Sequence, residues 1–522
     1  MGVNNISIIN SAYSALEVAS AGMTVTSQNV AGSSIDGFTR RQSNSIISHR
    51  ALNSWDFGNT AFSVEGFTRY TDRLLDAQLR EQKSKSSFTA SLLQTVKGLD
   101  TSMMDPSSSI AEAMSSFFNA AGTLASNTSS TTNIQDFAAK ATQVATRIST
   151  FTETINLLGE STRLNLTAIL DEANAIAPAL ARINLDILTG SVPGNATPAA
   201  DVLDERDRLL TRLQDLLGGK TIIHTDGTAT FQIGGMALVD GQVANHFVNT
   251  DVSTSAFNVQ LQSENIDPRY SDGRKVNIGY LSTEGASLTT VTGSAYQSAA
   301  KTAFTGGQAG AAFTILTDFI PKIQRQVSAI ALVFARDVNA VKQKDDTTGI
   351  TPIFGYKNTS TSGLSVITNA SPDLGSYTVN QLVDMADRKS ANYNPLIASI
   401  VNGAAWNPAL FVSNINFGSN TVLSIDSTAA NAIEKRRNSF STPLSLLTNN
   451  VASTISSWKA QDKANISVAT QLQNRKESVS GVNLDEEAAN LVKFQQLYGA
   501  ASKVMQTANQ MFATLLSAMN AA

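Results

Sequence analysis

Leu484 to Met519 reads LDEEAANLVKFQQLYGAASKVMQTANQMFATLLSAM. Its apolar residues recur at Leu491, Phe494, Tyr498, Ala501, Met505, Ala508, Phe512, Leu515 and Met519. That three-four alternation is the period of a helical seam facing another helix. A second stripe, Leu497, Val504, Met511 and Ala518, runs beside it. The apolar face is therefore wider than a two-helix seam needs. After Lys503 no side chain is charged, whereas the outer face of a surface helix normally carries Lys and Glu. As a helix this stretch would be about 54 Å long, beyond most single-domain cores. The pattern predicts neighbours on several sides.

The opposite end of the chain matches it. Ile6, Ile9, Tyr13, Leu16, Ser20 and Met23 repeat the alternation, and Glu17 and Asp36 are the only charged side chains before Thr39. Two readings fit these ends: a helical hairpin closing an ordinary domain, or two helices that pack against copies and relatives in a polymer. The second makes Ile6, Ile9, Tyr13, Leu16, Met23, Leu491, Phe494, Tyr498, Met505, Phe512, Leu515 and Met519 the candidate subunit interface.

Between the ends, helix and strand patterns alternate. Within Asn29–Gln42, Gly32, Ser33, Ser34, Asp36 and Gly37 end the first helix and make an irregular loop, with Arg40 and Arg41 in a solvated turn. A helical pattern covers Glu65 to about Leu99, and another helix follows Asp105-Pro106-Ser107. Ser126–Asn133 reads as a loop. From Ile134 the alternation holds past Leu158, with a break or kink expected at Pro178. Gly190–Pro198 is a linker, and Leu203–Leu217 a short amphipathic helix stopped by Gly218-Gly219. Short strands and turn pairs fill Thr221 to about Ser294. Helix returns after Gly306-Gly307 and runs to about Lys344, with Pro321 inside it. Asp345–Tyr356 is a loop. Leu364–Asp426 reads as mixed, with a helix near Leu382–Arg388 and a strand at Thr421–Ile425. A last long helix opens at Leu444 and stops at Ser478–Asn483.

The expected fold is α+β and multidomain, with the long terminal helices packed as a coiled-coil-like bundle and β-rich domains inserted. The expected domains are 1–40 with 480–522; a helical bundle of 41–198, 300–350 and 430–479; a β-rich domain at 199–299; and a mixed insertion at 351–429.

Composition narrows the function. With 38 basic against 42 acidic residues among 522, and no basic block, nucleic acid is not an expected partner. No run of 18 apolar residues exists, so no membrane span is expected. Met1–Asn10 lacks the basic and apolar regions of a cleaved signal peptide. There is no cysteine, which excludes disulfides and thiolate chemistry. His49, His224 and His246 stand at unrelated positions, outside any metal-ligand motif. Gly306–Gly310 before a helix has the form of an anion loop, but no strong strand feeds it. Asp345–Gly349 starts like a calcium loop and lacks the closing glutamate, since Tyr356 stands there. Glu205, Arg206, Asp207 and Arg208 read as the solvated face of a helix. No catalytic residue, cofactor or metal is assigned.

Ser480-Gly481-Val482-Asn483-Leu484-Asp485-Glu486-Glu487, followed by Phe494-Gln495-Gln496-Leu497-Tyr498, resembles the C-terminus of flagellar axial proteins, most of all the hook-associated protein 1 (FlgK) family. Gly37-Phe38-Thr39-Arg40 resembles the run that closes that family's first helix, with Arg41 inserted before Gln42 and Phe38 where the family more often has Tyr. Leu203–Leu213 and Gly306-Gly307 resemble it too. The resemblance implies a structural subunit at the hook–filament junction of the bacterial flagellum, with paired terminal helices that are mobile in the free monomer. It implies copies of itself, hook protein and the second junction protein as neighbours. It also implies flagellar type III export and a chaperone on the C-terminal region. Other readings are a hook or filament subunit of the same axial family, a cytosolic coiled-coil scaffold, and an extracellular enzyme active through its β insertion.

Overall fold

The computed structural model describes residues 2–35, 37–49, 60–104, 109–190, 199–251, 258–266, 275–282, 296–299, 304–341, 353–357, 364–366, 377–387, 389–402, 408–413 and 425–520. The fold is α+β, with long helices at both ends and small, mostly antiparallel sheets between. The chain divides into two compact units, 1–88 with 169–309 and 464–522, and 89–168 with 310–463.

The first unit opens with helix α1 (Gly2–Gly32), followed by strands β1 (Arg41–His49) and β2 (Thr60–Arg69), an antiparallel pair with Arg41 opposite Arg69 and a bulge at Asn44/Ser45. One expectation fails here. Glu65–Arg69 is strand, and helix α2 starts at Arg73 and runs to Met104. The apparent helical register of Phe67, Tyr70 and Leu74 spans a strand, a break and a helix start. Helix α1 ends at Gly32, where the run Gly32-Ser33-Ser34 is expected to stop it, and the chain turns there before β1 begins at Arg41.

Helix α3 (Ile110–Ser126) is capped by Ser109, whose side chain accepts from the Glu112 N–H. Helix α4 (Thr131–Gly190) holds 60 residues and passes through Pro178 without ending, so of the expected break or kink there is no break. Pro178 is flanked by the buried Ala173, Ala177, Leu180 and Ala181, whose packing holds the helix across the missing hydrogen bond. The expected linker lies almost wholly at 191–198, outside the described residues. Helix α5 (Ala200–Leu217) ends at Gly218 in the left-handed conformation, as the sequence predicts.

Strands β3 (Lys220–Ile223), β4 (Ala229–Ile233), β5 (Met236–Asp240), β6 (Val243–Asp251), β7 (Asn258–Ile266), β8 (Lys275–Ser282) and β9 (Tyr296–Ala299) form one sheet in chain order. Neighbours are antiparallel except β8 and β9, which are parallel. β6 and β9 had no sequence signal, because VANHFVNTD mixes Asn and Asp into its alternation and YQSA is too short.

Two asparagines of α4 grip this sheet. Asn184 donates from Nδ2 to the carbonyls of Ala229 (2.8 Å) and Gly241 (2.6 Å) and accepts from the Ala229 N–H (2.9 Å). Asn174 repeats the pattern on Phe247, donating at 2.9 Å and accepting at 2.7 Å. Each amide completes sheet backbone groups that would otherwise be buried without partners.

In the second unit, helix α6 (Gly307–Thr314), begun in the first, continues through a π-turn at Ile315–Phe319 into α7 (Ile320–Asn339). Pro321 stands at the start of α7, and the wide turn before it relieves the clash a proline ring makes with the preceding turn. From Gln326 to Asn339 α7 is buried on every side. Strands β10 (Phe354–Lys357), β11 (Leu364–Val366) and β12 (Phe411–Ser413) form a small antiparallel sheet, and helices α8 (Val379–Ala386) and α9 (Pro395–Val401) lie between β11 and β12 in the chain. Tyr356 is thus in a strand and not the expected loop; most of Asp345–Tyr356, and the expected strand at Thr421–Ile425 up to residue 424, lie outside the described residues. Helix α10 (Ser427–Lys435), capped by Asp426, precedes α11 (Arg437–Ser480), and α12 (Leu484–Asn520) closes the chain. The core of this unit is aromatic. Phe334 packs on Phe354 at 4.9 Å and on Phe117 at 5.4 Å between ring centroids, and Phe354 stacks on Phe411 at 5.4 Å.

Asn184→Ala leaves the buried Ala229 N–H without an acceptor. It is expected to destabilise the first unit by about 2–3 kcal/mol, read by chemical denaturation. Phe334→Ala, in the second unit, is expected to cost about 3–5 kcal/mol by the same measurement.

Candidate assembly interface

α1 and α12 lie against each other in opposite directions. Arg40, just past α1, meets Glu486 and Glu487; Gly22 lies under Phe494; and Ile8, Ala12 and Ala15 share a groove with Leu497, Ala501 and Val504. As α1 is read backward, α12 is read forward.

The contact uses small residues. On α1 the face turned inward carries Ala12, Ala19, Thr26 and Asn29, all buried, with Gly22 between them. A Cβ on Gly22 would sit 2.5 Å from the Phe494 ring, so only glycine allows the ring to lie there. On α12 the buried positions are Glu487, Ala501 and Ala508. Small residues bring the two backbones close, and the larger apolar side chains are displaced to the flanks.

The predicted interface residues distribute accordingly. Leu491, Phe494 and Met505 of α12, and Ile9, Leu16 and Met23 of α1, are half-buried beside the contact. Tyr13 is 65% exposed, Phe512 49% and Tyr498 44%. The side chains of Ile6, Leu515 and Met519 lie outside the described residues. The second stripe is open: Leu497, Val504 and Met511 face solvent, joined by Val492 and Leu516. Beside it the groove lined by Ile8, Ser11, Ala12, Ala15, Leu497, Ala500, Ala501 and Val504 encloses about 380 Å³. Large exposed apolar patches on a soluble chain mark interaction surfaces.

A charged cluster anchors the foot of the pair. Arg40 donates from Nε to Glu487 (2.9 Å) and reaches Glu486 (2.8 Å), and its backbone N–H donates to the Ser480 carbonyl (3.1 Å). Glu487 is 2% exposed, so its charge is buried and the pair with Arg40 is required to hold it there. The hydrogen bond from Arg40 holds the Glu486 carboxyl below its usual range. The two runs that the sequence singled out at opposite ends of the chain are therefore each other's partners.

Next to Arg40 stands Arg41, which pairs with Asp201 and with Asp204 (2.9 Å) of α5 and lies over the Phe38 ring at 4.8 Å. Arg69 reaches Asp207 (2.7 Å), and Arg206 reaches the same carboxylate (2.6 Å). Arg41, Arg69 and Arg206 are all buried. The expected solvated turn at Arg40-Arg41 and solvated face at Arg206-Asp207 are thus corrected: these charges meet across the fold, and their burial is sustained by pairing. Only Glu205 and Arg208 form the exposed pair the helix pattern predicts. Burial pushes the Asp207 carboxyl up, but Arg206 and Arg69 outweigh it and hold it below the usual range.

The glycine run at Gly306-Gly307 has a packing role. Gly307 has φ +65°, and a Cβ there would meet the Gly218 nitrogen at 2.5 Å. The start of α6 is occupied by the end of α5, which leaves no room for an anion. Among the described residues no helix is long and apolar enough to cross a membrane, and no three His, Asp or Glu side chains gather to hold a metal.

The family model for the flagellar hook-associated protein FlgK helical domain matches residues 96–351, and that for the flagellar basal body rod FlgEFG protein C-terminal region matches 477–518. Flagellar hook-associated protein 1 of Escherichia coli K12 is 24% identical over 98% of this chain and 99% of its own length; that of Salmonella typhimurium LT2 is 23% identical over the same shares. Over nearly its full length the chain is thus similar to flagellar hook-associated protein 1. A solved structure titled as the flagellar hook junction protein FlgK from Burkholderia pseudomallei aligns over 54% of this chain and 46% of that one, at 20% identity and a TM-score of 0.43. The rod-type C-terminal match spans most of α12, the helix that carries the open apolar stripe.

The signs of the carboxyl shifts fix the acid response. A carboxylate whose folded pKa is depressed stabilises the fold above its unfolded value, about 3.9 for Asp, and loses that contribution as pH falls through the lower folded value. Stability is expected to hold from neutral pH down to about pH 4 and then to fall, and Asp207→Asn is expected to flatten that acid limb in pH-dependent thermal unfolding. Glu487→Gln leaves Arg40 without its buried counter-charge, and is expected to speed amide exchange in α12 while α7 keeps its protection.

Proposed function

We propose that this chain is a structural, non-enzymatic subunit of the bacterial flagellum at the junction between hook and filament, and that it polymerises through α1 and α12. The observation that carries the reading is the open stripe of Leu497, Val504 and Met511, with Tyr498 and Phe512 alongside, on a helix without charge after Lys503. Burial of such a face against a neighbour contributes about 25 cal/mol for each Å² of apolar area removed from water. An uncharged helix face meets a like face without unpaired ions to desolvate. The neighbours in this reading are further copies, hook protein on one side and the second junction protein on the other. An export chaperone covers the C-terminal region of the free chain, which travels by the flagellar type III route.

Phe494 and Met505 lie at the contact between α1 and α12, so the sharper probes of polymerisation are the open positions. Leu497→Asp and Met511→Asp are expected to leave thermal unfolding of the isolated chain near wild type and to lower incorporation into isolated flagella at least about tenfold. Normal incorporation of both variants would remove this stripe from the interface. Immunogold labelling of the seven-stranded sheet region is expected to give a single band between hook and filament. Label along the whole hook or filament would place the chain in one of those structures instead.

A further inference from the structure

The charged cluster beneath the terminal pair does not balance. Its buried cations are Arg41, Arg69, Arg80 and Arg206, and the carboxylates among them, Asp204 and Asp207, are 14% and 20% exposed. Asp201 adds charge only from the surface, being 78% exposed, and Asp76 is taken by Lys476 at 2.9 Å. Asp204 is shared by Arg41 and Arg69, and Asp207 by Arg69 and Arg206. Nε of Arg69 stands 2.9 Å from Oδ1 of Asp204, close enough to pair by charge but out of hydrogen-bond alignment.

Arg80 of α2 is the cation left over. It is 7% exposed, and its Nε is buried with no hydrogen-bond partner among the described residues. Asp207 and Asp76 act on it only through their charge, and Arg206 opposes them. Burial holds the Arg80 guanidinium below its usual pKa. A guanidinium presents five donors in a planar fork suited to a carboxylate, sulfate or phosphate, and an unpaired one that is mostly buried is strongly unfavourable. Arg69 and Arg206 show the same fork satisfied by carboxylate a short way off. We propose that Arg80 holds an oxyanion site, filled in solution by a tetrahedral anion and in the polymer by a carboxylate of a neighbouring copy.

The polymer half of this proposal rests on the junction reading; the solution half does not. The test compares the full-length wild type with Arg80→Met, which keeps an unbranched apolar stem and removes the charge, and with Arg80→Lys, which keeps the charge and removes the fork. Thermal unfolding is followed in sodium sulfate and in sodium chloride at matched ionic strength, so that general salt effects cancel between variants. At sulfate about ten times its dissociation constant, wild type is expected to gain roughly tenfold in its folded-to-unfolded ratio over chloride. Arg80→Met is expected to gain nothing beyond the general salt effect, and to melt above wild type in chloride. Arg80→Lys is expected to respond less than wild type.

The second arm measures incorporation of Arg80→Met into isolated flagella. A sulfate response confined to the arginine establishes the free-anion source. No differential sulfate response, with incorporation lowered at least about tenfold, establishes the neighbour's carboxylate. Equal sulfate responses together with normal incorporation overturn the site. Wild-type chain absent from flagella counts against the junction reading alone, because the sulfate arm is read on the isolated chain.

Discussion

Glu487 is a carboxylate held almost wholly out of water at the first turn of the last helix, and that position is tenable only because Arg40 reaches it. Three kinds of interaction meet there: the ion pair, the backbone bond from Arg40 to Ser480, and the favourable placement of acidic residues at a helix N-terminus. From this anchor α12 runs back along α1, and the close approach permitted by Gly22, Ala12 and Ala501 follows from that starting angle. The anchor is also continuous with the Arg41, Arg69, Asp204 and Asp207 network, so the terminal pair is fastened to α5 through charges and not through a shared apolar core.

The two units solve the problem of cohesion differently. In the first, helix meets sheet through the Asn174 and Asn184 amides, and strand pair meets helix through arginine–aspartate pairs. In the second, aromatic rings pack around Phe334, and α7 is enclosed. A polar contact of the first kind keeps its geometry only while every partner is present. An aromatic core tolerates displacement better, since ring contacts fall off gradually with distance.

The period of the apolar residues made the long helices legible, because 3.6-residue periodicity survives in α4 and α12 over many turns. The Gly218 stop and the turn pairs of the sheet were legible because φ above zero nearly requires glycine. The burial of Arg40, Arg41, Arg206 and Asp207 was not, since a charge run on a helix looks the same whether water or another charge faces it. The seam of α1 was misleading for a related reason. Ile9, Tyr13 and Leu16 carry the stronger apolar signal, but alanine and glycine occupy the inner face, and small residues contribute little to any hydropathy pattern. The Asn184 clamp had no signal at all, because a lone asparagine in a helix announces neither its burial nor its distant partners.

Arg40 and Glu487 are separated by 447 positions. Closing so long a loop costs conformational entropy, and α12 is the segment that brings the glutamates to Arg40. During synthesis α1 emerges long before α12, the helix its small-residue face fits, has been made. The pairing of the two ends acts as a completeness check: a prematurely terminated chain lacks the glutamates that anchor the pair, and its first helix has no α12 to rest on.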